Sequence, residues 1–163
     1  MAGLEDLYRE IILDHYRAPR NRGELPVPPA HKVEGFNPLC GDEVVLYIEV
    51  DNDTDTVSDV KIAGQGCSIS QASTSMMSAA VKGKSLEETR RLIRAFKALM
   101  SIHESKLEGE SDGSDLAADL DGVRLGDLEA LQGVVKFPVR IKCATLAWNT
   151  LQQALDESAA ETV

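Results

Sequence analysis

The fold is decided by residues 42–81, whose sequence is DEVVLYIEVDNDTDTVSDVKIAGQGCSISQASTSMMSAAV. In the first part of this stretch every second residue is apolar, as in a strand that buries one face. A polar turn at 51–55 leads into a second apolar stretch at 57–63, so the pattern predicts a β-hairpin. The small residues that follow Cys67 predict a helix over 68–81. On the first strand, the buried face is assigned to Val44, Leu46, Ile48 and Val50.

Helical patterns lie on both sides of this hairpin. Apolar residues recur at helical spacing over the N-terminal segment up to Tyr16, and a loop over 19–29 follows. Downstream, Ser85-Leu86-Glu87-Glu88 resembles a capping box that begins another helix. A short helix is predicted around 125–131. An apolar stripe predicts a final helix that contains Ile141, Ala144, Trp148, Leu151 and Leu155.

Strands early in the chain and helices late predict an α+β domain, in which helices cover one face of a small antiparallel sheet. A length of 163 residues suits one compact core, so we expect a single domain over 1–163. Acidic residues and glycines prevail between about 105 and 124. Because such a segment can bury little apolar surface, we predict a flexible acidic insertion there.

Charge and composition exclude several classes of function. The chain has 17 basic and 27 acidic residues, which give a formal net charge of −10. This charge repels nucleic-acid phosphates and anionic membrane surfaces, so we expect neither among the partners. No apolar run reaches the ~18 residues of a membrane span, and the charged N-terminus is unlike a signal peptide, so we expect a cytoplasmic location. An odd number of cysteines in a reducing compartment leaves thiolate chemistry or simple burial.

Three short segments combine a cysteine with residues that favour thiolate chemistry. Cys40 and Asp42 lie two residues apart at the entrance to the first strand, so both side chains can point the same way. Cys67 follows Gly64 and Gly66, which permit close approach of the chain between a strand and a helix, and the helix N-terminus there stabilises a thiolate. Arg140 lies one helical turn before Cys143, and its charge favours a thiolate there.

We hypothesise that the three segments converge on one zinc ion. Three sulfurs and one carboxylate oxygen complete the tetrahedral shell that zinc prefers. Such a ligand set carries more negative charge than Zn²⁺ neutralises, and Arg140 and Lys142 would offset the excess. A cysteine that left the metal would already be a thiolate, which is the nucleophilic form. The proposed ligands are Cys40, Asp42, Cys67 and Cys143.

A less specific interpretation stays open for each of these residues. Cysteine is among the most buried residue types, and the sequence has no C-x-x-C pair that would require a metal site. Asp42 is equally explained as a turn or strand-edge carboxylate, and Glu43 is as well placed by composition. The cations near Cys143 are also explained as solvated charges at a helix end. No ligand role is assigned to His15, His31 or His103.

Six short blocks, taken together, resemble the SufU family, which is related to the IscU cluster scaffolds. They occur in the family's order, span nearly the whole chain and include all three cysteines. The blocks are Leu7-Tyr8-Arg9, Asp14-His15-Tyr16-Arg17, Pro19-Arg20-Asn21-Arg22-Gly23, Asn37-Pro38-Leu39-Cys40-Gly41-Asp42, Gly66-Cys67-Ser68-Ile69-Ser70 and Arg140-Ile141-Lys142-Cys143.

This resemblance implies an α+β fold of the IscU/SufU type, with a sheet of about three strands packed by helices. It also implies zinc bound by Cys40, Asp42, Cys67 and Cys143. The implied function is that of a sulfur acceptor for the pyridoxal-phosphate cysteine desulfurase SufS, with a SufBCD-type scaffold complex downstream. In that family the cysteine matching Cys40 receives the sulfur after a histidine of the desulfurase replaces it on zinc. The resemblance therefore assigns the catalytic, persulfide-carrying role to Cys40.

Two features separate the sequence from the IscU scaffolds. Those proteins have a histidine immediately before the last cysteine, where this chain has Lys142. The interval between Cys67 and Cys143 is also long, as the inserted segment of the SufU type requires. The sequence therefore favours a zinc-dependent sulfurtransferase. Two alternatives stay open, an IscU-like scaffold that carries an iron–sulfur cluster on the same ligands and a purely structural zinc module.

Overall fold

The computed structural model describes residues 4–27, 30–38, 41–108, 126–136 and 138–161. Their arrangement confirms the predicted α+β class, a three-stranded antiparallel sheet packed by helices. None of the helices in these ranges is long and apolar enough to cross a membrane. In chain order the elements are α1 (Leu4–Arg17), β1 (His31–Asn37), β2 (Asp42–Asp51), β3 (Thr56–Gln65), α2 (Ser68–Val81), α3 (Leu86–Glu108), a 3₁₀ helix (Gly126–Lys136) and α4 (Pro138–Glu161).

The predicted hairpin is confirmed as β2 and β3, which pair with Leu46 opposite Ile62. β2 is the central strand of the sheet, whose order is β1-β2-β3. It directs Val44, Leu46 and Ile48 into the core, where each is at most 1% exposed. The hairpin therefore supplies the centre of the hydrophobic core, as the alternation predicts.

Strand β1 is not predicted by the hydrophobic pattern. It pairs with β2 so that Val33 lies opposite Leu46 and Asn37 opposite Asp42. Its inward position at Gly35 has no side chain, because α4 packs so closely there that a methyl group would collide with Thr150. The missing apolar residue interrupts the alternation by which a strand is predicted.

Helix α4 lies against the sheet and against α2. Trp148 of α4 is completely buried and stacks on Phe96 of α3, with ring centroids 4.6 Å apart. Its Nε1–H donates to Ser73 Oγ of α2 over 3.3 Å. Because the indole group contacts two other helices, it fixes where α4 lies relative to the start of α2.

The helix predictions are confirmed with one difference. The helix expected over 68–81 is α2, and Ser85 Oγ accepts the N–H of Glu88 over 3.1 Å, as a capping box requires. The short helix expected around 125–131 is instead a 3₁₀ helix that extends to Lys136. Leu128, Leu131 and Val134 are buried at the three-residue period of that helix type, and Ala130 is buried as well.

His15 is a buried structural residue. Its two ring nitrogens lie 2.8 Å from Ser75 Oγ of α2 and 2.9 Å from Asp127 Oδ2 of the 3₁₀ helix. The side chain therefore joins α1 to two other elements.

The acidic insertion expected at about 105–124 lies largely outside the described residues, because the structure describes nothing from 109 to 125. Residues 105–108 belong to the end of α3. The flexibility of the insertion and the single domain over 1–163 stay predictions.

Candidate metal centre

Asp42 is the first residue of β2 and is completely buried. Successive side chains of a strand point to opposite faces, so Asp42 shares the helix-covered face with Val44. Its Oδ1 accepts the backbone N–H of Cys67 over 2.9 Å, and its Oδ2 lies 3.9 Å from Cys67 Sγ. Glu43 lies on the opposite face and is partly exposed. The strand thus turns Asp42, and not Glu43, toward the cysteines.

Cys67 occupies the N-cap position of α2. Its Sγ accepts the backbone N–H of Ser70 over 3.4 Å, in the place where a serine or aspartate oxygen usually caps a helix. The side chain is only partly buried. The sulfur therefore lies at the positive end of a 14-residue helix, where negative charge is stabilised.

Cys143 lies in the second turn of α4 and is completely buried. Ser73 Oγ of α2 donates to the carbonyl oxygen of Ala144 over 2.5 Å, which holds this turn against α2. The result is a cluster of three potential ligands from three elements. One ligand atom each from Asp42, Cys67 and Cys143 lie within 4.8 Å of one another.

The other predicted site residues are less closely placed. Cys40 lies outside the described residues, so its place at the site and its sulfur-carrying role stay predictions. Arg140 and Lys142 are exposed, whereas Cys143 beside them is buried. Helix α4 therefore turns the thiol inward and both cations outward, and the supporting role of Arg140 stays a prediction.

These donors fit a zinc ion. Zn–S bonds of about 2.3 Å and Zn–O bonds of about 2.0–2.2 Å place the ligands of a tetrahedral ion roughly 3.5–3.8 Å apart. The observed cluster needs only a small contraction to reach that geometry. A completely buried carboxylate beside two thiols is costly unless a positive charge neutralises it. Asp42, Cys67 and Cys143 could supply three of the four ligands, and the ligand role of Cys40 stays a prediction.

Gly66 allows the chain to pass close to the Asp42 carboxylate. A Cβ atom at position 66 would lie 2.5 Å from Asp42 Oδ1 and 3.1 Å from Asp42 Cα. The side chain of Asp42 is short and completely buried, and turning it aside would break the hydrogen bond from the N–H of Cys67 to its Oδ1.

We therefore expect Gly66→Ala to lower the free energy of unfolding of the metal-free protein by about 1–3 kcal/mol, the usual cost of overpacking. Urea denaturation measures the effect. Gln65→Ala, at the exposed neighbouring position, is the control and should change stability by less than about 0.5 kcal/mol. Equal urea midpoints for the two variants would show that the approach to Asp42 is not tight.

Residues 7–144 match the family described as the NifU-like N terminal domain. The chain belongs to this family. The zinc-dependent sulfurtransferase SufU of Bacillus subtilis (strain 168) is 44% identical over 154 residues, which cover 94% of this chain and 92% of that protein. The iron-sulfur cluster assembly scaffold protein IscU of Streptococcus pyogenes serotype M1 is 40% identical over 159 residues, 98% of this chain and 89% of that protein.

A crystal structure of a similar protein shows the same fold. It is described as an iron-sulfur cluster assembly scaffold protein for the SUF system (FiSufU) from Fervidobacterium islandicum AW-1. It aligns with a TM-score of 0.67 at 35% identity and covers 94% of this chain and 99% of that one. The resemblance to SufU and the IscU/SufU type of fold are therefore confirmed.

Ser70 is not predicted from the sequence as part of the site, whereas the glycines before Cys67 are expected to permit close approach of the chain. The contact of Gly66 with Asp42, which requires the absence of a side chain, agrees with that expectation. Ser70 forms a hydrogen bond with Cys67 through its backbone and is buried beside the cluster. Its spacing of three residues from the N-cap is the only signal that would have identified it.

Proposed function

We propose that the chain is a zinc-dependent sulfur acceptor, a sulfurtransferase that takes persulfide sulfur from a SufS-type cysteine desulfurase for iron–sulfur cluster assembly. The observation that carries this proposal is the convergence of Asp42, Cys67 and Cys143 from three separate elements. The 44% identity with a protein named a zinc-dependent sulfurtransferase supports it. In this proposal the protein works in the cytoplasm and passes sulfur to a SufBCD-type complex.

The proposed zinc ligands are Cys40, Asp42, Cys67 and Cys143. When bound, zinc supplies positive charge that keeps the cysteine ligands deprotonated. Asp42 is oriented for this role by the N–H of Cys67, and Cys143 is shielded from water by the packing of α4. Arg140 and Lys142 are exposed at the start of the same helix, and in this proposal their positive charge offsets part of the negative charge of the ligand set.

The proposed transfer is a thiol–disulfide type of exchange. The Cys40 thiolate attacks the terminal sulfur of the persulfide on the desulfurase, and a new S–S bond forms on Cys40. The S–S bond of the donor breaks at the same time, and the donor cysteine leaves as a thiolate. One sulfur atom moves between two cysteines, so the step needs no external oxidant or reductant.

A second candidate is an iron–sulfur cluster scaffold, because two of the similar proteins described above are named as scaffolds. The same sulfur and carboxylate donors would then hold iron. Against this candidate, Lys142 replaces the histidine that precedes the last cysteine in the IscU scaffolds, and a lysine ammonium group has no lone pair with which to bind metal.

Metal analysis and mass spectrometry of the same sample separate these functions. We expect one zinc per chain as purified, and a mass increase of one sulfur atom after incubation with a SufS-type desulfurase and cysteine, reversed by a thiol reductant. Incubation without desulfurase is the control. Iron with a brown chromophore on anaerobic reconstitution would favour the scaffold instead. Zinc without any sulfur transfer would leave a structural zinc module.

A further inference from the structure

The buried hydroxyl group of Ser70 differs from its neighbours on α2 in its hydrogen bonding. Ser70 is completely buried, and within the described part of the chain its Oγ forms no hydrogen bond. Other buried hydroxyl groups of α2 are paired: Ser73 donates to the Ala144 carbonyl oxygen, Thr74 to the Ser70 carbonyl oxygen, and Ser78 to the Ser75 carbonyl oxygen. Since an unpaired buried hydroxyl is unfavourable, this one requires an explanation.

Ser70 lies at the same end of α2 as Cys67, one of the three donors. Ser70 is the third residue of α2, and its backbone N–H already donates to Cys67 Sγ over 3.4 Å. In a helix the Cα–Cβ bond tilts toward the N-terminus, so the hydroxyl is carried toward the Cys67 end of α2. Rotation about one bond is enough to redirect a serine hydroxyl.

The neutral thiol of Cys67 is a weak acceptor, whereas a thiolate that binds a metal accepts hydrogen bonds strongly. Metal ligands are commonly held by a second set of hydrogen bonds that orients them and tunes their charge. At Cys67 one such bond, from the Ser70 N–H, is present already. The proposed ligand set has excess negative charge, so a further donor directed at this sulfur stabilises it.

We propose that Ser70 is a positioning residue of the metal centre, whose hydroxyl donates a hydrogen bond to the Cys67 thiolate once zinc is bound. This inference rests on the zinc site of the proposed function. It explains why the hydroxyl has no acceptor among the described residues of the metal-free chain, because its acceptor, the Cys67 thiolate, forms when the metal binds. It also predicts that removal of the hydroxyl weakens only the zinc-bound form of the protein, which a merely structural role of Ser70 would not produce.

The test compares Ser70→Ala with the wild-type chain with and without zinc. We expect the zinc Kd, measured by competition with a chromogenic chelator, to rise about tenfold, as is typical when a hydrogen bond to a metal ligand is lost. The metal-free protein should unfold at the same urea concentration as the wild type, or at a higher one, because the variant loses no bond there. Ser78→Ala, two turns further along α2, is the matched control. Its hydroxyl is paired, so it should unfold more easily with or without zinc and keep the wild-type Kd.

An unchanged Kd for Ser70→Ala, while the wild type binds zinc, would overturn this inference and leave the proposed function intact. Equal destabilisation of both forms, or loss of the metal-free fold, would also overturn it, because the hydroxyl would then have a partner without metal. A wild-type chain that binds no zinc would refute the proposed function itself, and the inference with it.

Discussion

Cys40→Ala is expected to abolish sulfur acceptance by the chain. In the proposed exchange the new S–S bond forms at Cys40, and no other group of the variant provides a thiolate that is released for attack. Cys143 is completely buried, and the sulfur of Cys67 is engaged by the N–H of Ser70. Mass spectrometry after incubation with desulfurase and cysteine should show no added sulfur on the variant and one sulfur atom on the wild type.

Zinc content is the internal control for this variant. Three protein ligands with one water molecule are a common zinc shell, so Cys40→Ala should still bind zinc, although more weakly. A variant that retains zinc and loses sulfur transfer separates the chemistry of Cys40 from the integrity of the site. Added sulfur on Cys67 or Cys143 of the variant would reject Cys40 as the acceptor.

Asp42→Ala is expected to weaken zinc binding by more than 100-fold. Loss of a hydrogen bond to a metal ligand alone typically costs 10- to 100-fold in affinity, and Asp42 is itself a proposed ligand. At a free zinc concentration 100 times the wild-type Kd, zinc stabilises the wild-type chain by about 2.7 kcal/mol. The variant should lose nearly all of this stabilisation, which urea denaturation with and without zinc measures.

Glu43→Ala is the matched control for Asp42→Ala. Glu43 is the next residue of β2, carries the same charge and points to the opposite face of the sheet. We expect the wild-type zinc affinity and the full zinc-dependent increase in stability. If Glu43→Ala weakened zinc binding as much as Asp42→Ala, the general loss of negative charge would explain both effects, and the ligand role of Asp42 would be refuted.

Much of the fold follows from the sequence where a periodic pattern meets a clear end signal. The hairpin is predicted because the alternation at Val44–Val50 is followed by a polar turn and a second apolar stretch. Helix α2 is predicted because a run of small residues begins directly after Cys67. The start of α3 is predicted because Ser85 and Glu88 have capping spacing. In these places local chemistry and the global fold agree, so the pattern alone is sufficient.

The remaining features depend on contacts between distant parts of the chain. β1 has no clear pattern because Gly35 makes room for α4, which is more than a hundred residues away in sequence. The choice between Asp42 and Glu43 depends on which face of β2 the helices cover. Both residues are carboxylates, and the sequence signal that separates them is the alternation that places Asp42 on the same face as Val44. The unpaired hydroxyl of Ser70 is likewise a property of packing and not of residue type.

The three donors that the structure brings together belong to β2, to the start of α2 and to α4. No two of them share a secondary-structure element, so an ion bound by all three would link β2, α2 and α4. Any opening motion that separates these elements would then have to break a metal–ligand bond. A bound ion should therefore slow hydrogen–deuterium exchange of the backbone amides in all three elements together.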